Sequence, residues 1–405
     1  MIQIAIQLFF LLCLLYIGSI TVYFFIIAIS SKFYKTPEYT PNSNKAPIAV
    51  LFTAYKEDEV IITTVKKAIG HNYPIQLFDI YVAADSLQPE TVAELKELQA
   101  TIVEVHFTTG SKARSLNHLL NKIPSDRYTL ALILDADNVM MPGMLEKIND
   151  AYQKGFRAIQ VHRIAKNNNN AIAMLDALTE EINNTLFRKA QRSLGFSANT
   201  IGSGMAFEME KLKEVYNKEE ILSNPACDRE VDFEMMKANI CIEYISDAYV
   251  LDEKVSARQV FERQRTRWLE SQLTHLKLFL SQSKLIKKKD KDYWNKLFTN
   301  LLPPRSFILL MYLFAVGIFF IEHFTGYTML LPSFYWWLAF FVLFLITFFI
   351  AIPIEMYSIK SLKSLTLLPA LLFSMIKAVL SMKNKRKEFV HTPKSFIEEN
   401  STSRD

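Results

Sequence analysis

Two carboxylates stand two positions apart at the end of an apolar segment. Asp135 and Asp137 close the stretch YTLALILDAD at 128–137. In a strand, side chains at i and i+2 share a face, so both carboxylates point the same way. Such a pair suits a hard cation such as Mg²⁺, which takes few protein ligands and keeps substrate phosphates. The alternative is a turn in which Asp137 or Asn138 caps a helix that starts near Pro142. These residues alone leave both interpretations open.

Other candidate residues follow apolar or glycine-containing segments. Asp85 ends FDIYVAAD at 78–85, where a single aspartate is typical of a turn. Asp228 lies in ACDREVDFEMM, and this pattern also fits the solvated first turn of a helix, where acids favour the dipole. Gly202 and Gly204 in IGSGMAF allow backbone to approach a ligand, or they mark a bulge.

The segment QRTRW at 264–268 combines a fork-shaped cation with a flat ring. Arginine recognises phosphate through two parallel hydrogen bonds, and tryptophan offers a face on which a sugar ring stacks. The alternative is a membrane-interface belt with snorkelling arginines, in which Gln264 has no role.

The composition indicates a mixed membrane and soluble protein. Of 405 residues, half are hydrophobic and 30 are Phe, and the mean hydropathy is positive. The net charge is +5, and the basic residues crowd at the edges of apolar segments, which favours contact with lipid over nucleic acid. The three cysteines include Cys13 inside an apolar run, so we expect no disulfide framework and a cytoplasmic soluble part.

Four apolar segments are candidates for the membrane. Residues 1–31 carry no charge and two lysines follow closely, which predicts a spanning helix whose C-terminal side is cytoplasmic. Residues 306–321 and 329–354 predict a helical hairpin. The segment 365–382 is broken by Lys377 and followed by KNKRK, so we expect an interfacial or re-entrant helix there.

Between the first and second apolar segments, strand-like and helix-like stretches alternate. This rhythm predicts an α/β fold, an open sheet with helices on both faces and ligands at the carboxyl ends of the strands. The strand-like stretches are 48–54, 78–85, 101–107, 128–137 and 157–163.

Together these residues resemble the membrane-bound inverting glycosyltransferases of family 2, such as cellulose synthase, hyaluronan synthase and poly-N-acetylglucosamine synthase. The likeness covers almost the whole chain and rests on an ordered set of aspartates followed by Q-x-x-R-W. Its segments are TAYKEDEVI (53–61), Asp85, KARSLN (112–117), DAD (135–137), GSGMAF (202–207), Asp228, QRTRW (264–268) and EFVHTPK (388–394).

The resemblance implies a GT-A type sheet with a Rossmann-like nucleotide-binding half, and a role for each matching residue. Asp135 and Asp137 would hold Mg²⁺ or Mn²⁺, and Asp228 would be the catalytic base. The donor, most simply a UDP-sugar, would be held by Thr53, Ala54, Glu57, Asp85, Lys112, Asp135 and Arg267. The acceptor would be held by Gly202, Ser203, Gly204, Gln264 and Trp268. The family usually has Thr-Glu-Asp where this chain has Ala226-Cys227-Asp228, so Glu230 and Asp232 remain alternative bases.

The implied order along the chain is a spanning helix (1–33), a cytoplasmic GT-A domain (45–255), the Q-x-x-R-W segment with interfacial helices (256–300), a membrane hairpin (301–355) and an interfacial helix with a cytoplasmic tail (356–405).

The implied reaction extends a β-linked polysaccharide in the plasma or inner membrane. Transfer of one sugar to a membrane lipid is the alternative, and a non-catalytic subunit of a glycan export complex is a third reading. A transporter should carry ionisable residues inside its helices, and the three clear spans have none.

Overall fold

The computed structural model describes residues 1–107, 110–124, 126–224, 227–286, 289–326, 331–370, 372–373 and 394. The strands are β1 Ile48–Tyr55, β2 Phe78–Asp85, β3 Ala100–Val105, β4 Leu130–Asp135, β5 Val139–Met140, β6 Ala158–Ala165, β7 Met205–Glu208 and β8 Ile242–Asp252. The helices up to the last strand are α1 Ile2–Ser30, α2 Asp58–Ile69, α3 Pro89–Glu97, α4 Lys112–Lys122, α5 Met144–Gln153, α6 Ala171–Asn184, α7 Ala190–Ser193, α8 Met209–Tyr216, α9 Glu219–Leu222 and α10 Cys227–Lys237. The later helices are α11 Arg258–Gln282, α12 Lys291–Leu301, α13 Arg305–Thr325, α14 Phe334–Ala351 and α15 Ile359–Ser364.

The strands form one open mixed sheet in the order β3-β2-β1-β4-β7-β6-β8-β5. Strands β3, β2, β1 and β4 pair in parallel, whereas β7 runs antiparallel to both β4 and β6. The predicted α/β open sheet is therefore confirmed, and each of the five predicted strands is present. Strands β5, β7 and β8 were not predicted, and they turn the parallel half into a mixed sheet.

Strand β1 shows why the sheet is covered on both faces. Its residues alternate in side, with Ile48, Val50 and Phe52 in the core under α2 and α5, and Ala49 and Leu51 in the core under α4. All five are fully buried. Central parallel strands bury both faces in this way, which is why their sequences read as continuous apolar runs.

Among the described residues, three helices are long and apolar enough to cross a membrane: Ile2–Phe33, Arg305–Thr325 and Phe334–Ala351. They correspond to the three predicted spans. Their shared core contains Phe24, Tyr312, Phe319, Trp337 and Phe344, each nearly or fully buried. Of the predicted interfacial segment 365–382, only residues 365–370 and 372–373 are described, so its remainder lies outside the described residues.

Helix α11 lies between the sheet domain and the membrane helices. It is 25 residues long and carries the 264–268 segment in its first half. Phe279 of α11 packs with Phe233 of α10 and Tyr293 of α12, and this holds its second half on the domain. Gln272 of α11 donates to the carbonyl oxygen of Leu302, just before α13, at 2.8 Å. Helix α11, which carries the 264–268 segment, is therefore held both by the sheet domain and by the start of the membrane helix α13.

Candidate functional site

The carboxyl ends of β1, β2 and β4 form the edge on which the predicted residues meet. Thr53 lies beside Asp135 in the register of β1 and β4, and Tyr55 lies beside Asp85 in the register of β1 and β2. Ala54 is buried between them. Ligands of open α/β sheets bind outside the carboxyl ends of the strands, so this edge is the expected crevice.

Asp137 is almost fully buried and points into this edge. Its Oδ2 atom accepts a hydrogen bond from the backbone nitrogen of Glu253 at 2.9 Å and one from the ammonium group of Lys394 at 3.0 Å. Asn138 instead accepts from the backbone nitrogen of Asp135 at 3.0 Å and from the Ser203 hydroxyl. Helix α5 begins at Met144 with Gly143 as its N-cap residue. The interpretation that Asp137 or Asn138 caps this helix is therefore wrong.

Asp135 is joined to the glycine segment through Lys112. The ammonium group of Lys112 donates to the Asp135 carboxylate, and to the carbonyl oxygen of Gly202 at 2.6 Å. A Cβ atom on Gly202 would lie 3.8 Å from the carboxyl group of Asp228, so Gly202 borders that side chain. A Cβ atom on Gly204 would lie 2.7 Å from a Val161 methyl group. Close packing thus accounts for glycine at 204.

Asp228 stands in the first turn of α10, as the sequence predicted for a helix start. Its carbonyl oxygen accepts from the Thr200 hydroxyl at 2.9 Å. Burial lowers the pKa of Arg267, and the charges of Asp228 and Asp135 act in the opposite direction. The guanidinium of Arg267 in α11 is therefore close enough to Asp228 of α10 and Asp135 of β4 for both negative charges to stabilise it.

The two alternative bases are engaged elsewhere. Glu230 accepts from the Asn224 amide at 2.8 Å, and its Oε1 atom lies 3.0 Å from the His275 ring nitrogen. Asp232 accepts from the buried ammonium of Lys296 at 2.6 Å. Both side chains hold α10 against its neighbours, whereas Asp228 faces Gly202 and Arg267.

Asp85, the last residue of β2, and Glu57, the N-cap residue of α2, are acids whose pKa values are raised. Burial raises the pKa of Asp85, and within the described residues its Oδ2 atom has no hydrogen-bond partner, although Ser86 donates to Oδ1 at 3.0 Å. Burial also raises the pKa of Glu57 to about 8, with Asp137 adding to the shift. A buried acceptor without a donor is costly, so a ligand hydroxyl or N–H at Asp85 would be stabilised.

The two arginines of the 264–268 segment point to different partners. Arg265 pairs with Asp176 of α6 at 2.6 Å, and its guanidinium lies 4.4 Å from the centre of the Trp268 ring. Arg267 faces the carboxylates described above. The Oε1 atom of Gln264 is buried and has no partner among the described residues. Arg265 thus fixes the helix and the ring, while Arg267 is directed at the edge of the sheet.

Lys394 is a functional candidate to which the sequence analysis gave no role. Besides Asp137, its ammonium group donates to the carbonyl oxygen of Glu253 at 2.9 Å and lies 3.8 Å from Asp252. Burial would lower the pKa of Lys394, but the charges of Asp137 and Asp252 outweigh it and raise the pKa. The available signal was the segment EFVHTPK, which ends on this lysine.

The carboxylates of this edge fit a divalent cation. Asp135 and Asp137 each hold an ammonium group, from Lys112 and Lys394, so both already stabilise positive charge. Across the described ranges, no group of three or more His, Cys, Asp or Glu side chains is arranged to hold a metal ion. Two carboxylates suffice where phosphate and water supply the other ligands, as Mg²⁺ commonly requires.

Comparison with known proteins agrees with this geometry. The family model for glycosyltransferase-like family 2 matches residues 46–271. The mannosyltransferase PcManGT from Pyrobaculum calidifontis, solved in complex with GDP-Man and Mn²⁺, aligns at 13% identity with a TM-score of 0.54, over 91% of this chain and 98% of its own. S. aureus TarS 1-349, in complex with UDP, aligns at 15% identity over 57% of this chain and 65% of its own, with a TM-score of only 0.38. No curated protein matches the chain. The first structure shows that the fold is shared.

Proposed function

Since the chain belongs to glycosyltransferase-like family 2, we propose that it transfers a sugar, with inversion, from a nucleotide diphosphate donor to an acceptor at the membrane surface. The observation that carries this proposal is that Lys112 joins Asp135 to Gly202, which borders Asp228, at the carboxyl edge of the sheet, while the charges of both aspartates act on Arg267. Each belongs to a different element, and together they supply a cation site, a base and a phosphate clamp.

On the donor side, we assign the nucleoside to Thr53, Ala54, Glu57 and Asp85. The unpartnered oxygen of Asp85 supports this assignment, because a ligand hydroxyl or N–H group would supply the hydrogen bond that it lacks among the described residues. Lys112 and Arg267 would hold the diphosphate beside Asp135 and Asp137. We keep UDP as the expected nucleotide, and the GDP-Man bound to the similar mannosyltransferase makes GDP-sugars the comparison to test.

Asp135 and Asp137 would hold Mg²⁺ or Mn²⁺, as the Mn²⁺ in the similar mannosyltransferase also suggests. When bound, such a cation neutralises the charge that develops on the leaving diphosphate. Asp228 would take the proton of the acceptor hydroxyl as the oxygen attacks the sugar carbon, and the bond from that carbon to the diphosphate oxygen breaks on the opposite face. Gly202 leaves room for the acceptor beside the Asp228 carboxyl group.

The acceptor distinguishes two candidate functions. The Gln264, Arg267 and Trp268 motif supports the expected likeness to synthases that extend a polysaccharide. The membrane core supports a lipid acceptor, because Tyr312, Phe319 and Trp337 fill the space between the described spanning helices. The hydroxyl groups of Thr21 and Tyr312 are hydrogen bonded to each other within it at 2.6 Å. A sugar polymer would not fit through the core of these three described helices, so a polymer-making role would need an export path formed by other parts of the chain or by a partner protein.

We therefore propose transfer to a membrane lipid, with the catalytic domain in the cytoplasm, and keep polymer extension as the second candidate. The test is to incubate purified protein in liposomes with UDP- and GDP-sugars and Mn²⁺, and to measure both nucleotide release and product size. A lipid-extractable product that carries one sugar supports the first candidate, and a long water-soluble glycan supports the second. Absence of transfer from every donor, with folded protein, would contradict both. Asp137→Asn is the matched inactive control.

A further inference from the structure

Arg305 is a cation with no carboxylate partner among the described residues. Its Nη2 atom donates to the neutral amide oxygen of Asn183 in α6 at 2.7 Å. Its Nη1 atom is shielded from solvent and has no hydrogen-bond partner in the part of the chain that the structure describes. The neighbouring charge that acts on it is another cation, Arg265. Arg305 as a whole is partly exposed, but a shielded guanidinium nitrogen without a counter-charge is unfavourable, so an anion would be stabilised at this position.

The surroundings of Arg305 add positive potential. It is the first residue of α13, and no side chain caps this helix start. The unpaired N–H groups at a helix start attract anions. The carboxylate of Asp176 is already engaged by Arg265 at 2.6 Å. The local balance of charge is therefore positive.

The position of Arg305 identifies the source of the anion. It opens one spanning helix, and its guanidinium lies 5.7 Å from the ring of Phe348, near the end of another. Phe348 in turn lies near Phe24 of the first span, with ring centres 6.3 Å apart. Arg305 thus lies at the end of the helix bundle that meets the sheet domain, where a helix that spans a bilayer would reach the lipid head groups.

We propose that Arg305, with Arg265 and the start of α13, binds the phosphate group of a membrane lipid. Arginine suits this ligand because its planar fork donates two hydrogen bonds to one phosphate. The lipid phosphate supplies the counter-charge that the described chain does not. Trp268 lies against Arg265 at 4.4 Å, so the head group of this lipid would lie next to the 264–268 segment. The site stands independently of sugar transfer, and its test needs no donor.

The test measures ligand binding to purified protein in a maltoside detergent, which contains no phosphate, by microscale thermophoresis. The probes are dioctanoyl phosphatidic acid, dioctanoylglycerol and inorganic phosphate. We expect phosphatidic acid to bind the wild type at least tenfold more tightly than either of the others. Tight binding of inorganic phosphate alone would make this a free-anion site and would overturn the lipid assignment. Equal binding of dioctanoylglycerol would overturn the phosphate assignment.

Two variants tie the binding to this position. Arg305→Gln should weaken phosphatidic acid binding about tenfold or more, whereas Lys363→Gln, an exposed cation of α15, should leave it unchanged. Asn183→Asp places a carboxylate where the amide oxygen now accepts from Arg305. This variant should compete with the lipid phosphate, so it should melt at a higher temperature in the detergent yet bind phosphatidic acid less tightly. If Arg305 is purely structural, Asn183→Asp will leave lipid affinity unchanged, and the proposal fails even where Arg305→Gln does not fold.

Discussion

Lys394 offers the sharpest perturbation of the proposed metal site, because its ammonium group uses the carboxylate that a metal ion needs. It lies 3.0 Å from Asp137 Oδ2, and only 20% of its side chain is exposed. At an effective dielectric constant of about 20, unit charges at this distance attract by roughly 5 kcal/mol, and most of that is lost to desolvation. A hydrogen bond to a charged group nets about 1.5–3 kcal/mol, which corresponds to roughly a 10- to 100-fold change in affinity.

We therefore expect Lys394→Met to tighten Mn²⁺ binding by about 10- to 100-fold in the absence of nucleotide. The measurement is a titration of Mn²⁺ into detergent-solubilised protein, with free Mn²⁺ read by electron paramagnetic resonance. Lys360→Met is the matched control, because that ammonium donates to Asn168 on the exposed surface. Asp137→Asn should abolish the tight phase in both backgrounds. Unchanged or weaker Mn²⁺ binding in Lys394→Met would show that the ammonium and the metal do not share Asp137.

Four further changes test separate parts of the site. Asp228→Asn should reduce transfer by about 10²- to 10⁴-fold while UDP affinity stays nearly unchanged, since a base acts on the acceptor. If Glu230→Gln is inactive and Asp228→Asn is active, the base is Glu230 and not Asp228. Arg267→Lys should weaken UDP binding about tenfold despite keeping its charge, because the planar fork is lost, and isothermal titration with Mn²⁺ checks this. Trp268→Ala should impair use of the acceptor and leave UDP affinity unchanged in the same titration. Glu180 is buried, which alone would raise its pKa, but Arg163 and other cations lower the pKa to about 2. The ionised Glu180 therefore stabilises the fold by on the order of 3 kcal/mol at pH values above its ordinary pKa of about 4.5, and this stabilisation is lost as the pH falls toward 2. The difference in melting temperature between pH 7 and pH 3 should consequently be larger for the wild type than for Glu180→Gln.

The parallel half of the sheet could be predicted because its strands are buried on both faces and read as apolar runs. Strand β4 at Leu130–Asp135 is the clearest case. The antiparallel strands β7 and β5 could not be predicted, since β7 has four residues and β5 has two. Strand β8 is longer, but polar residues interrupt it, and its pairing with β6 shifts register between Val161 and His162. These strands depend on their neighbours more than on their own sequence.

Within the site, residue type was predictable and pairing was not. The resemblance assigned donor contact to Arg267, whereas the chemistry of the segment alone does not distinguish its two arginines. The structure pairs Arg265 with Asp176, and the charges of Asp135 and Asp228 act on Arg267. Lys394 was marked only by the segment EFVHTPK, which did not indicate its partner. It meets Asp137 across 257 positions of sequence, and no local pattern reports such a contact.

Helix α6 explains how these distant segments are held together. Asp176, Glu180 and Asn183 recur at spacings of four and three, so they lie on one face of the helix. Asp176 holds Arg265 of α11, and Asn183 holds Arg305 at the start of a spanning helix. Glu180 binds Arg163 of β6 at 2.8 Å and lies 3.6 Å from Lys254, which in turn binds Asp252 next to the Lys394 ammonium. One helical face thus contacts the sheet, the 264–268 segment and the membrane helices. Because its partners come from three separate parts of the chain, a change at Asn183, near the end of α6, is expected to alter the position of the residues around Asp137.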